Sequence, residues 1–304
     1  MTPPVTSPQV LLDPVMLARI VDLPLLARTV VDGFMHGLHR SARKGFSLDF
    51  AEHRSYQPGD DLRRIDWKAY ARTDRFYVKE YEADTNAGVL FALDVTGSMD
   101  FAGSEGAVNK FAYARMLVAS LAWLSQRHGD RVGLATFTDR LVEMIPPSTR
   151  HLQLILHALG RAKPAGEGKL PLAIDRVADV ATRPGIVVLV SDCYGEPADI
   201  GRSVDTLRAR GHDVLVFHLV DRAEEEFPYD EPGVFEDGES GLRVPMRPDE
   251  MRERYLKLFG AHRDALVKRF AASGVDYVPL RTDQPLDVAL HTYLDKRLAQ
   301  GRVR

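Results

Sequence analysis

Three short, largely apolar runs punctuate the chain: Val89–Leu93, Ile186–Val190 and Val214–Val220. Each is too short to cross a bilayer and reads as a strand buried on both faces. Between and after them, apolar residues recur at helical spacing. Val108–Gln126 is predicted as a helix with Ala112, Leu117, Leu121 and Leu124 on its apolar face, stopped by His128-Gly129-Asp130. Further helices are predicted over His151–Leu159, Leu170–Val180, Asp199–Arg210, Asp249–Ala272 and Pro285–Ala299. Val132–Phe137 and Leu141–Ile145 read as strands around a Thr138-Asp139-Arg140 turn, and Asp276–Leu280 as a last strand. Strands alternating with helices predict an α/β fold, with a mostly parallel sheet covered by helices on both faces.

The flanking segments differ in character. Residues 1–10 are Pro-rich and expected to be disordered, and residues 11–44 carry N-terminal helices that Pro24 splits or kinks. Residues 45–86 are dense in charge and aromatics: Phe46–Ala51 alternates like a strand, Pro58-Gly59 marks a turn, and Phe76–Tyr81 is strand-like again. This predicts a small β-rich subdomain ahead of a domain spanning 87–300. Inside that domain an acidic loop follows Asp221, and residues 231–246 read as a hairpin insertion.

Composition narrows the function classes. The 304 residues are 45% hydrophobic with net charge −3, which argues against a nucleic-acid binder. The one cysteine, Cys193, excludes an internal disulfide framework and fits a reducing compartment. No apolar run reaches the roughly 18–20 residues of a membrane span, and the N-terminus carries no secretory pattern. A soluble, cytoplasmic protein is expected.

The candidate chemistry sits where two apolar runs end. Asp94, Thr96 and Ser98 alternate after the first, and Asp192 follows the second. In an open parallel sheet, ligands collect beyond the carboxyl ends of strands. Four hard oxygen donors at one rim would suit Mg²⁺. The residues alone leave a second reading open, in which these side chains cap local turns. The ten histidines form no zinc pair, Cys193 has no evident activating partner, and no phosphate-binding loop is present.

The spacing of Asp94, Thr96, Ser98 and Asp192 resembles the metal-ion-dependent adhesion site of von Willebrand factor A-like (Rossmann-like) domains. That pattern also has a threonine in a later Gly-Gly-Thr-x-Leu loop. Here the run is Gly166-Glu167-Gly168-Lys169-Leu170, so Gly168 replaces the threonine and a cation stands next to it. The site is therefore expected to hold Mg²⁺ or another divalent cation weakly or not at all, with Lys169 as a candidate internal substitute. Upstream, Arg54, Tyr56, Pro58-Gly59-Asp60-Asp61, Arg63, Ile65-Asp66-Trp67, Arg72 and Val78-Lys79-Glu80-Tyr81 resemble the signature of domain of unknown function fifty-eight. That family joins this charged segment to a von Willebrand factor A-like domain. The resemblance implies a MoxR-type AAA+ ATPase partner and a role in assembling or maturing a client protein.

The expected function is a non-enzymatic protein-protein interaction module working through the rim. A metal-independent scaffold binding through residues 54–80 is the alternative. A Mg²⁺-dependent hydrolase is a further one, for which no base or nucleophile stands out.

Overall fold

Five consecutive apolar residues, Val89 to Leu93, have no polar face to offer water, so they fold as an interior strand. In the computed structural model, residues 13–41, 53–55, 70, 76–79, 87–104 and 106–301 are described. The chain begins with α1 (Pro14–Leu17) and α2 (Leu23–Ser41), then an antiparallel strand pair, β1 (His53–Ser55) and β2 (Tyr77–Lys79). The main domain runs β3 (Gly88–Asp94), a 3₁₀ turn (Gly97–Asp100), α3 (Lys110–Arg127), β4 (Arg131–Phe137), β5 (Leu141–Ser148), α4 (Leu152–Arg161) and α5 (Leu170–Val180). It continues through β6 (Ile186–Ser191), α6 (Pro197–Ala209), β7 (Asp213–Val220), α7 (Arg222–Glu226), β8 (Gly233–Glu236), β9 (Arg243–Met246), α8 (Pro248–Ala272), β10 (Asp276–Arg281) and α9 (Asp287–Gly301).

Six strands form one sheet in the order β10-β7-β6-β3-β4-β5, all parallel except the β4–β5 hairpin. In order of appearance this is the doubly wound 3-2-1-4-5-6 arrangement, and the fold is von Willebrand factor A-like, as expected from the sequence. Successive side chains along β3 divide the core. Val89, Phe91 and Leu93 pack with α2, α3, α4 and α9, while Leu90 and Ala92 pack with α5, α6 and α8. Leu26, Val30, Val31 and Phe34 of α2 belong to the first of these clusters, so the N-terminal helix is part of the main core.

Some expectations are corrected. The N-terminal segment is two helices, as expected, but Pro24 lies inside the second rather than at the break: Asp22 caps α2 through Leu25 N–H at 2.7 Å, and Pro24 sits in the first turn, where its missing N–H costs nothing. The acidic run after Asp221 is not a loop at its start. It folds as α7 under a capping box, with Ala223 N–H on Asp221 and Asp221 N–H on Glu224. The expected features of residues 1–10, 46–51 and 58–66 lie outside the described residues. So do the side chains of Arg54, Tyr56, Asp60, Asp61, Arg63, Asp66, Trp67 and Arg72.

The last helix is tied to the end of α3 by buried polar contacts. Arg297 holds Asp130 through two nitrogens, at 2.5 and 3.2 Å, and Tyr293 meets Ser125 at 2.5 Å. Asp130 is fully buried, so removing its partner strands a charge. Arg297→Ala is expected to lower unfolding stability by about 3–5 kcal/mol. Breaking the exposed Arg202–Asp199 pair should cost under about 1 kcal/mol. Urea melts of the two variants check the contrast.

Candidate functional site

The strand order reverses between β3 and β6, and at such a switch point the loops leave in opposite directions and open a crevice. Leu93 pairs with Val190, so Asp94 and Asp192 come out at one rim. Ser191 Oγ donates to Asp94 Oδ2 at 2.6 Å and joins the two strand ends directly. The loop after β3 turns over its own carboxylate: Thr96 N–H donates to Asp94 Oδ1 at 3.0 Å, and Thr96 Oγ1 lies 3.0 Å from Ser98 Oγ. Ala165 N–H to Val95 O and Gly97 N–H to Gly166 O, each 2.9 Å, lay the loop before α5 alongside. Asp94, Thr96, Ser98, Asp192 and Gly168 thus line one cavity of about 780 Å³.

The centre of the rim is a lysine. Lys110, the first residue of α3, is fully buried, and its Nζ donates to Asp192 Oδ2 at 2.8 Å and to Glu224 Oε1 at 2.7 Å. Tyr194 hydroxyl also donates to Glu224 Oε1, at 2.6 Å, and its ring lies 4.9 Å from the ammonium. Glu224 Oε2 accepts Asp221 N–H at 2.7 Å, so the α7 capping box fixes the carboxylate that meets Lys110. Burial opposes the ammonium, but the charges of Asp192 and Glu224 more than offset it and hold its pKa above the usual lysine value. Among the described residues, Asp94 has no such cation. Burial, then the charge of Asp192, push its carboxyl up to about 7, against the lowering effect of Ser191 and Thr96. Cys193 is buried beside them, and burial followed by the Asp192 and Asp94 charges holds its thiol well above its ordinary value.

Residues 52–265 match the family described as "Protein of unknown function DUF58". The chain belongs to the DUF58 family. An uncharacterized protein of Mycobacterium tuberculosis is 30% identical over 278 residues, 90% of this chain and 86% of that protein. An uncharacterized protein of Mycobacterium bovis matches to the same extent. BatB of Bacteroides thetaiotaomicron superposes with a TM-score of 0.47 at 15% identity, over 71% of this chain and 98% of that one. The SpRpn10 VWA domain gives 0.42 at 12% identity, over 67% and 93%.

Within this DUF58 rim the donor set does not fit a divalent cation. Asp192 spends an oxygen on an ammonium, and both Asp94 oxygens are engaged by Ser191 and Thr96. Gly168 brings no hydroxyl, and there is no room for one: a Cβ there would fall 2.2 Å from the Thr96 methyl. The Thr96 methyl thus occupies the space that a side chain at 168 would need, so the residues at 96 and 168 are sterically paired. The cation at the rim is Lys110 rather than Lys169, which is exposed and precedes the first turn of α5.

Lys110 and Glu224 are the residues that the sequence reading passed over. One signal was present. Lys110 falls 7, 11 and 14 positions before Leu117, Leu121 and Leu124, in phase with the buried stripe of α3. A lysine there also opposes the helix dipole, which marks the position as unusual.

Two stability tests follow from this geometry. Lys110→Met leaves Asp192 and Glu224 buried without their cation and should cost about 3–5 kcal/mol. Lys169→Met should stay within about 0.5 kcal/mol. Denaturant titration reads both, and equal costs would overturn the assignment of the internal cation. Gly168→Thr should cost about 1–3 kcal/mol by overpacking, and adding Thr96→Ser should recover most of that loss. A double-mutant cycle showing simple additivity would contradict the steric pairing.

Proposed function

We propose that this DUF58 protein is a non-enzymatic interaction module that docks a partner protein on the rim at the β3–β6 switch point. The partner is proposed to be a MoxR-type AAA+ ATPase, and the joint task the assembly or maturation of a client protein in the cytoplasm. The observation that carries the reading is the state of the rim's charges. Lys110 is shared between Asp192 and Glu224 in a fixed array of net charge −1, with Tyr194 on the Glu224 carboxylate. Groups whose hydrogen bonds are already made suit a preorganised surface better than proton transfer, which needs a base free to reach its substrate. The buried Cys193 thiol, held protonated, is poorly placed as a nucleophile. Among the described residues, no helix is long and apolar enough to cross a membrane.

On this reading binding needs no divalent ion, because Lys110 supplies the cation. The test is biolayer interferometry of the full chain against the MoxR-type ATPase of its own organism, with and without EDTA. Asp100→Arg and Tyr194→Ala, both exposed at the cavity mouth, should each weaken binding at least tenfold, and EDTA should change nothing. Binding that ignores both substitutions but is lost in Trp67→Ala would move the partner site to the charged segment. Phosphoester turnover abolished by Asp94→Ala would overturn the non-enzymatic reading.

A further inference from the structure

The β8–β9 hairpin does not project away from the domain. Its turn rests on the rim. The Gly238 backbone lies against Gly97 so closely that a Cβ at position 97 would stand 2.2 Å from the Gly238 carbonyl oxygen. The next residue, Glu239, reaches across the loop before α5, and its Oε2 accepts the Gly168 N–H at 3.2 Å. Gly97 and Gly168 belong to the two loops that flank Thr96 and Ser98, so both contacts fall on the rim itself. Burial singles out the same residue: Asp237, Gly238, Ser240 and Gly241 are exposed, and Glu239 between them is half-buried.

The turn is also shaped by hydrogen bonds of its own. Asp237 accepts Ser240 Oγ at 2.5 Å and Glu239 N–H at 3.0 Å, which fixes the turn backbone at Glu239. The hairpin itself is held weakly. Val234, Leu242 and Val244 are 65%, 64% and 43% exposed, so its two strands bury little of their own apolar surface. Its base is pinned by Phe235, stacked on Phe227 at 6.0 Å and edge-on to Tyr229 at 5.2 Å. Beneath it lies the rim cavity of about 780 Å³, with Phe235, Met246 and Tyr255 on the hairpin side and Asp94, Lys110 and Asp192 below. A two-stranded hairpin with few buried contacts opens at low free-energy cost while its surroundings stay folded.

We propose that the acidic turn 237–241 is a built-in occupant of the rim, which a partner must displace, and that the displacing segment is itself a turn bearing a carboxylate that takes Glu239's place on the Gly168 N–H. The inference rests on the rim being the partner site. It adds what fills that site in the free protein, and what chemistry competes for it.

The probe is a cyclised, fluorescein-labelled peptide of residues 233–246. It is titrated by fluorescence anisotropy against the full chain and against a chain in which residues 234–245 are replaced by a short Gly-Ser linker. The peptide should bind the trimmed chain at least tenfold more tightly than the full chain, and Glu239→Ala in the peptide should remove at least fivefold of that affinity. Equal binding to both chains, or to neither, overturns the proposal. A second measurement does not depend on the trimmed chain folding. In the full chain, Glu239→Ala and Gly97→Ala should each speed hydrogen exchange at the Gly168 amide at least fivefold, and unchanged exchange in both overturns it. Trimming should also strengthen binding to the AAA+ ATPase. ATPase binding that is present but indifferent to trimming refutes the displacement, whereas peptide capture with no ATPase binding by either chain refutes the partner and leaves the occupied rim standing.

Discussion

The ammonium of Lys110 is the point on which the rim at the β3–β6 switch point turns. It is fully buried, yet it ties three segments that are distant in the chain: the start of α3, the end of β6 through Asp192, and the α7 turn through Glu224. A buried charge is tolerated only when paired and hydrogen-bonded, and breaking such a pair costs far more than making it gains. The array therefore acts as a constraint rather than a source of net stability. With Lys110 in place, Asp192 has to point into the rim and the Glu224 capping box has to form. The loops that carry Thr96, Ser98 and Tyr194 are set around them.

That constraint explains why the loops depart from the pattern their fold resembles. A rim built around a divalent ion wants hydroxyls and carboxylates free to coordinate. Here Asp192 answers an ammonium, Asp94 is held by Ser191 and Thr96, and the Thr96 methyl fills the space in front of Gly168. Each change makes sense beside the others and little sense alone. The close packing also leaves Gly168 with a bare backbone N–H at the rim, and that donor is the one Glu239 takes.

The sheet was legible because its signals are local. Runs such as Val89–Leu93 and Ile186–Val190 have one reasonable reading, and two carboxylates at matching strand ends already suggested one shared rim. The hairpin was legible from its glycine turn, but not where it would lie. Lys110 was harder. Its partners are 82 and 114 residues away, and nothing in a linear reading joins them. Lys169 drew attention because it adjoins Gly168 in sequence, yet adjacency in the chain says nothing about where a long side chain points. Glu224 was hidden among Glu225 and Glu226, where only the Asp221-x-x-Glu224 capping spacing distinguishes it.

A cation that is part of the chain differs in one further respect from one that is bound. A metal rim is switched by ion concentration and stripped by chelators, whereas Lys110 keeps its charge with Asp192 and Glu224 beside it. A rim of that kind is not switched by ion concentration, which is why the proposed control of access is assigned to a segment that covers it. The covering segment is already in place over Gly97 and Gly168, held by one carboxylate, one close backbone contact and a small aromatic base. All three contacts lie at the rim, apart from the core beneath, where Phe91 and Leu93 are fully buried. On the proposal made above, a fixed charged floor and an acidic turn laid across it are complementary, since a floor whose cation belongs to the chain leaves regulation to the turn.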